Sequence, residues 1–200
     1  MNKQEIIRYL QSIIAIPILA IAMPLSGVAS IPNLTAVNST LTEENSVIIT
    51  QEEVIRKEQV DLEVIRKEKA EAIDAYFAKY DAPLEGYGMK FVIEAEKNDI
   101  DWRLLPAIAM RESTGGIWDC DKATNSVFGW GSCKISFKSI DESIEIVTRN
   151  LGGNNPNTAR HYDGKTTLQI LRKYNSYIKN YPAQVVKIMK KISDDGKEII

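Results

Sequence analysis

Glu112 is the residue best placed for chemistry in this 200-residue chain. It ends the run Leu104, Leu105, Pro106, Ala107, Ile108, Ala109, Met110 and Arg111, and it is followed by Ser113, Thr114, Gly115 and Gly116. Apolar side chains almost all round a helix predict a buried helix, with its regular part running from about Leu105 because Pro106 interferes with an earlier start. The paired glycines predict a stop in the left-handed conformation. A carboxylic acid placed where a core helix opens into a cleft is desolvated and lies beside the negative end of the helix dipole. Both effects favour the protonated acid, the form a general acid must hold near neutrality. The competing reading is structural, with Glu112 paired to a neighbouring arginine.

Other chemistry-bearing residues are few. Cys120 and Cys133 are the only cysteines. In an exported chain they read as a short disulfide-closed loop, with a pair of free thiols as the alternative. Without clustered histidines they make a poor zinc set, and neither a metal nor another cofactor is expected. His161, the sole histidine, falls in a polar stretch and reads as surface structure. Trp118, Phe128 and Trp130 stand in a glycine-rich segment with no helical period. There the tryptophans suit stacking on a flat ligand, whereas Phe128 suits a small satellite core.

The elements that must position these groups are legible in outline. Residues 1–29 carry Lys3 and Arg8, then a short apolar run, then Ser26, Gly27, Val28 and Ala29. That is the pattern of a signal peptide, or alternatively of an uncleaved membrane anchor, and either places the folded part outside the cytoplasm. Residues 30–50 read as linker. Residues 51–79 repeat Glu-Val-Ile-Arg-Lys-Glu ten positions apart, with Glu53 and Lys57, then Glu63 and Lys67, at favourable helical spacing. They predict an exposed, charged helical stalk. Residues 80–195 form the remaining domain. Its helices are marked by Val92, Ile93 and Ala95, by the capping pair Ser139 and Glu142, by Leu168 and Leu171, and by Val185, Val186, Met189 and Ile192 after Pro182. Asp101 is placed to cap the helix that carries Glu112. A formal charge of −2 gives no general pull toward nucleic acid.

Four blocks in order give a more specific signal. Residues 104–116, then Asn125-Ser-Val-Phe-Gly-Trp-Gly, then Ser139-Ile-Asp-Glu-Ser-Ile, then Tyr174-Asn175 with residues 181–192, together resemble the lysozyme-like superfamily. The nearest forms are bacterial endo-β-N-acetylglucosaminidase domains and soluble lytic transglycosylases. The resemblance implies a mainly α, lysozyme-like domain of about five helices, with a small irregular or β-hairpin lobe facing a helical lobe. It implies Glu112 as the catalytic acid in the cleft between them and Ser113 as the small polar residue that follows it. Phe128, Gly129 and Trp130 would form the sugar-facing wall, and Tyr174 the aromatic facing the scissile sugar. Ser176 and Tyr177 depart from the small residues that commonly follow Tyr-Asn in transglycosylases, so the subclass stays open.

The expected activity is cleavage of β-1,4 bonds in peptidoglycan glycan strands by a secreted or envelope-associated hydrolase of the endo-β-N-acetylglucosaminidase type. A lytic transglycosylase or muramidase, and a non-catalytic glycan-binding envelope module, are the alternatives. The usual two-carboxylate scheme would need a partner from Asp119, Asp121 or Asp141, none at a telling spacing. A substrate-assisted route would need Glu112 alone.

Overall fold

The computed structural model describes residues 34–195, with side chains described for residues 52–194. The expected signal segment at residues 1–29 lies outside the described residues. Two compact units divide the chain, residues 1–50 and 51–200. In the first, the described residues 34–50 are helical rather than linker and belong to α1 (Leu34–Ala78). Helix propagation adds one bond per residue once a nucleus exists, and this outweighs the weak local preferences of the Ser, Thr and Asn residues there.

Within the second unit, α1 changes character along its length. Val54, Ile55, Val60, Leu62, Val64 and Ile65 are exposed along the charged repeat. Ala70, Ile73 and Phe77, at i, i+3 and i+7, are buried in the hydrophobic core together with Tyr76. The core therefore begins before residue 80. Full burial of Ile73 and Phe77 contributes roughly 1.5–3 kcal/mol each, which ties the end of α1 to the domain.

A short turn leads into α2 (Gly88–Lys97). Asp74 holds this turn by accepting from the backbone N–H of Gly86 at 2.9 Å and of Gly88 at 2.8 Å. A Cβ on Gly88 would lie 2.2 Å from the Ala70 carbonyl oxygen, so only glycine lets α2 start against α1. Burial pushes the Asp74 carboxyl above its ordinary value against the opposing pull of those two N–H groups. On α2, Phe91, Val92 and Ala95 face the core, and Met89 is exposed.

Helix α3 (Leu104–Ser113) is buried almost all round, as the apolar run predicts. It starts one residue earlier than expected because Pro106 falls in the first turn, where its missing N–H would have had no partner. Asp101 does not cap α3 itself: its Oδ1 accepts from the Arg103 backbone N–H at 2.9 Å, just before the helix. The rest of the helical frame is α4 (Ile140–Leu151), the single-turn α5 (Ala159–Tyr162), α6 (Thr167–Tyr174) and α7 (Tyr181–Asp195). Six helices thus follow residue 80 where about five were expected, the extra one being α5 inside the expected polar loop. Helix α3 packs on α7, and α2 on α4. Ser139 caps α4 by accepting from Glu142 N at 3.1 Å. On α6 the inward pair is Ile170 and Leu171, while Leu168 is exposed. On α7 the buried stripe is Tyr181, Val185, Met189 and Ile192, with Val186 exposed.

Residues 114–139 form the irregular lobe. The described residues contain helices and no strands, so no β-hairpin forms here. Asn125, Gly129, Gly131, Ser132 and Cys133 all have positive φ, which is incompatible with extended pairing. Instead Cys120 and Cys133 form a disulfide with Cα atoms 5.5 Å apart. The Asn125 side-chain amide also donates to the Phe137 carbonyl at 2.9 Å. Among the described residues no helix is long and apolar enough to cross a membrane.

Candidate functional site

Glu112 occupies the last turn of α3, half-buried, and three features fix its place. The first is the helix end. Thr114, rather than a glycine, takes the first left-handed position, at φ 53° and ψ 47°. That is an uncommon conformation for a β-branched residue, and it turns the chain away directly after the acid. Gly115 then passes so close to the core that a Cβ would lie 2.7 Å from the Ala82 methyl and 2.9 Å from the Phe77 ring.

The second feature is Ser113, which is buried and does not line the cleft. Its hydroxyl donates to the Val127 carbonyl at 2.7 Å and accepts from Gly116 N at 2.9 Å. These two bonds tie the irregular lobe to the helix end one residue from Glu112.

The third feature is the carboxylate's own surroundings. Tyr181, fully buried at the start of α7, donates its phenol proton to Glu112 Oε1 at 2.6 Å. On the other oxygen, the Gly129 backbone approaches closely: a Cβ there would be 3.3 Å from Oε2, and φ is +63°. Arg111, the adjacent arginine, is committed elsewhere, donating to Gln184 Oε1 at 2.8 Å with its guanidinium 5.9 Å from the Tyr181 ring centroid.

An aromatic wall continues from this point. The Tyr174 ring stacks on Tyr181 with centroids 6.0 Å apart and planes 11° from parallel. Its hydroxyl donates to the Phe128 carbonyl. Trp130 lies 5.8 Å from Tyr174 and 6.1 Å from Tyr162, ring to ring. Phe128 itself is fully buried and meets Phe91 edge-on at 6.3 Å. Its ring therefore belongs to the core, and its contribution to the site is the carbonyl that anchors Tyr174.

The cleft beside these groups has a volume of about 490 Å³. Glu112, Gly129, Trp130, Gly131, Ser132 and Tyr162 line one part, and Lys173, Tyr174, Asn175, Ser176 and Tyr177 complete it. Glu112 is the one acidic residue among them, and Asp119, Asp121 and Asp141 do not reach the lining. Trp118 is 73% exposed and lines no part of the cleft.

The phenols are held in their neutral form. Burial, then the negative charge of Glu112, pushes Tyr174 well above its ordinary value. Burial, then the hydrogen bond to Glu112 and that same charge, pushes Tyr181 well above its ordinary value too. Burial also raises Tyr162. Tyr174 and Tyr181 thus remain hydrogen-bond donors at any working pH. The site presents one carboxyl group, gripped on one oxygen by a permanent donor, at the edge of a cleft walled by aromatic rings.

Of the residues expected at the site, Glu112, Gly129, Trp130 and Tyr174 come together at the cleft, whereas Ser113 and Phe128 support it from behind. Sequence reasoning missed Tyr181, Tyr162 and Lys173. Tyr181 was the most accessible of these, since it begins the i, i+4, i+8 stripe of α7 with the only residue of that stripe able to donate a hydrogen bond. Compared with models of protein families, with curated proteins and with solved structures, the chain matches none.

Proposed function

We propose that the protein is an exported glycoside hydrolase of lysozyme-like type that cuts β-1,4 bonds in peptidoglycan glycan strands, with Glu112 as general acid and base. The observation that carries this reading is the grip of Tyr181 on Glu112 at 2.6 Å beside an aromatic-walled cleft. Glycosidic cleavage needs a carboxylic acid aimed at the leaving oxygen and flat surfaces for sugar rings. Trp130 and Tyr174 supply the surfaces, and Gly129, lacking a side chain, leaves Oε2 of Glu112 open to the bond being cut.

A lone carboxyl group suits a reaction in which the substrate's own acetamido or hydroxyl group attacks the anomeric carbon. This favours N-acetylated sugars as substrate and is compatible with either hydrolysis or internal transglycosylation. The order of sequence blocks resembling lysozyme-like enzymes supports the same reading, and the Cys120–Cys133 disulfide is in keeping with an oxidising compartment outside the cytoplasm.

The test is direct. The purified chain is incubated with cell-wall sacculi, and released fragments are separated and their ends identified. Reducing N-acetylglucosamine ends mark a glucosaminidase, reducing muramic ends a muramidase, and anhydro ends a transglycosylase. Glu112→Gln should lower the rate by about 10²–10⁴-fold while keeping the helical circular dichroism spectrum. Turnover undiminished in that variant would remove Glu112 from the mechanism. The same lone carboxyl group also favours a second reading, a non-catalytic glycan-binding module of the envelope. Sacculus binding with no fragments released by the unmutated protein would select it.

A further inference from the structure

One charged group in the cleft has no part in proton transfer by Glu112. Lys173, one residue before the end of α6, lines the cleft between the aromatic wall and the loop that follows. It forms no ion pair among the described residues. More positive charge stands nearby: the His161 ring lies edge-on to cleft-lining Tyr162 at 6.4 Å, and Arg160 Nε donates to His161 Nε2 at 3.1 Å. Partial desolvation, then the charges of Lys173 and Arg160, hold His161 below its ordinary value.

The same cleft carries an uncovered ring. Tyr177 is 98% exposed and lines the same cleft. Its position follows from a defined turn, because the backbone N–H groups of Tyr177 and Ile178 donate to Asn175 Oδ1 at 3.2 and 3.1 Å. The asparagine side chain thus shapes the loop that presents the tyrosine, as Asx turns do.

We propose that Lys173 and Tyr177 form a subsite for a sugar bearing a carboxylate, on the α6 side of the bond that Glu112 protonates. The proposal rests on the glycan-cleaving reading and adds that the strand is acidic at this position. A pyranose has an apolar face that lies against a tyrosine ring, and an acid carried on an ether arm reaches the ammonium on its flexible four-carbon stem. A neutral polymer of N-acetylglucosamine offers the face without the charge.

The experiment uses the whole chain carrying Glu112→Gln, so that bound sugar is not turned over. Two β-1,4 tetrasaccharides are titrated by calorimetry: the neutral N-acetylglucosamine tetramer, and the alternating N-acetylglucosamine and N-acetylmuramic acid tetramer with free lactyl carboxylates. The acidic sugar should bind tighter by up to about fivefold at low salt, the scale of a solvent-accessible ion pair, and the gap should close in 1 M salt. Adding Lys173→Met, a change on an exposed side chain, should erase the preference and leave the neutral sugar's affinity unchanged. Tyr177→Ala should weaken both sugars. Equal affinities with Lys173 intact, or a preference that survives Lys173→Met, overturn the subsite and leave the glycan reading standing. Binding of neither tetrasaccharide overturns the glycan reading, and the subsite with it.

Discussion

The Tyr181 hydroxyl donates to Oε1 of Glu112 at 2.6 Å across 69 positions of sequence, joining the start of α7 to the end of α3. Because burial keeps the phenol neutral, the bond has one direction: tyrosine gives and carboxylate accepts. Only Oε2 is left to carry the exchangeable proton, on the side where Gly129 and the cleft lie.

Tyr181→Phe keeps the ring stacked on Tyr174 and removes the donor. Without that donor the Glu112 carboxyl is free to turn away from Gly129, so on the proposed reading kcat should fall while KM changes little. A stability cost of about 1–3 kcal/mol is expected, because a partly buried carboxylate loses its partner. Urea titration and steady-state kinetics of the two proteins check both statements. A rate loss no larger than the unfolded fraction accounts for would reduce Tyr181 to packing.

Gly129→Ala tests how closely the lobe must approach the acid. The new methyl would stand 3.3 Å from Oε2 and would also hold an L-residue at φ +63°. The backbone penalty is about 1–2 kcal/mol. The rate should fall more steeply than that stability loss explains, because the methyl covers the oxygen that must meet the leaving group. Matched measurements of kcat and melting temperature decide it. A rate loss no larger than the unfolded fraction accounts for would mean the approach is structural only.

The sequence made the helix carrying Glu112 legible because its apolar residues leave no polar face, and it made the disulfide legible because two cysteines in one loop without clustered histidines have few other uses. The partner of Glu112 was not legible, since contact between Tyr181 and Glu112 follows from how α3 packs on α7 and no local pattern encodes it. The end of α1 was hidden for another reason. Its apolar spacing from Ala70 to Phe77 directly follows a charged repeat whose helical signal is that of an exposed face. Phe128 shows a related limit: its glycine-rich segment suggested a small satellite core and the resemblance a sugar-facing ring, and packing against Phe91 takes the ring inward and leaves the carbonyl for Tyr174.

Glu94 gives a pH dependence separate from the cleft. Its carboxylate is buried and accepts from Lys97 at 2.8 Å and Lys90 at 3.1 Å. Burial alone would raise the carboxyl, but the hydrogen bonds and charges of the two lysines prevail and hold it below the usual glutamate range. A folded value below the unfolded one means that ionised Glu94 stabilises the fold at neutral pH, and this contribution is lost as the pH falls through the folded value. Glu94→Gln should therefore cost about 1 kcal/mol at neutral pH, a modest figure because both lysines keep some access to water. Once the pH has fallen below the folded value, the variant and the unmutated protein should converge. A gap that stays constant from neutral pH down to the onset of acid unfolding would assign the loss to packing instead.

The disulfide governs the half of the cleft that has no regular structure. Cys120 and Cys133 close a loop of sequence separation 13 around Trp130 and Gly129. The chain-entropy account gives about 3 kcal/mol for such a loop. The lobe has little else of its own: Ala123, Val127, Phe128 and Phe137 are its buried apolar residues, and among the described residues it has no strand pairing. The helices, by contrast, supply most of the shared core, to which the lobe adds Val127, Phe128 and Phe137. Replacing both cysteines by serine should therefore open residues 117–135 to proteolysis well before the helices, and cleavage of glycan should fail at temperatures where the helical signal persists. The Ser113 bond to Val127 would then hold only one edge of the lobe, leaving Trp130 without a fixed position beside Tyr174. Equal proteolysis rates for the oxidised protein and the double serine variant would mean that Ser113, Asn125 and the buried Phe128 already hold the wall without the bond.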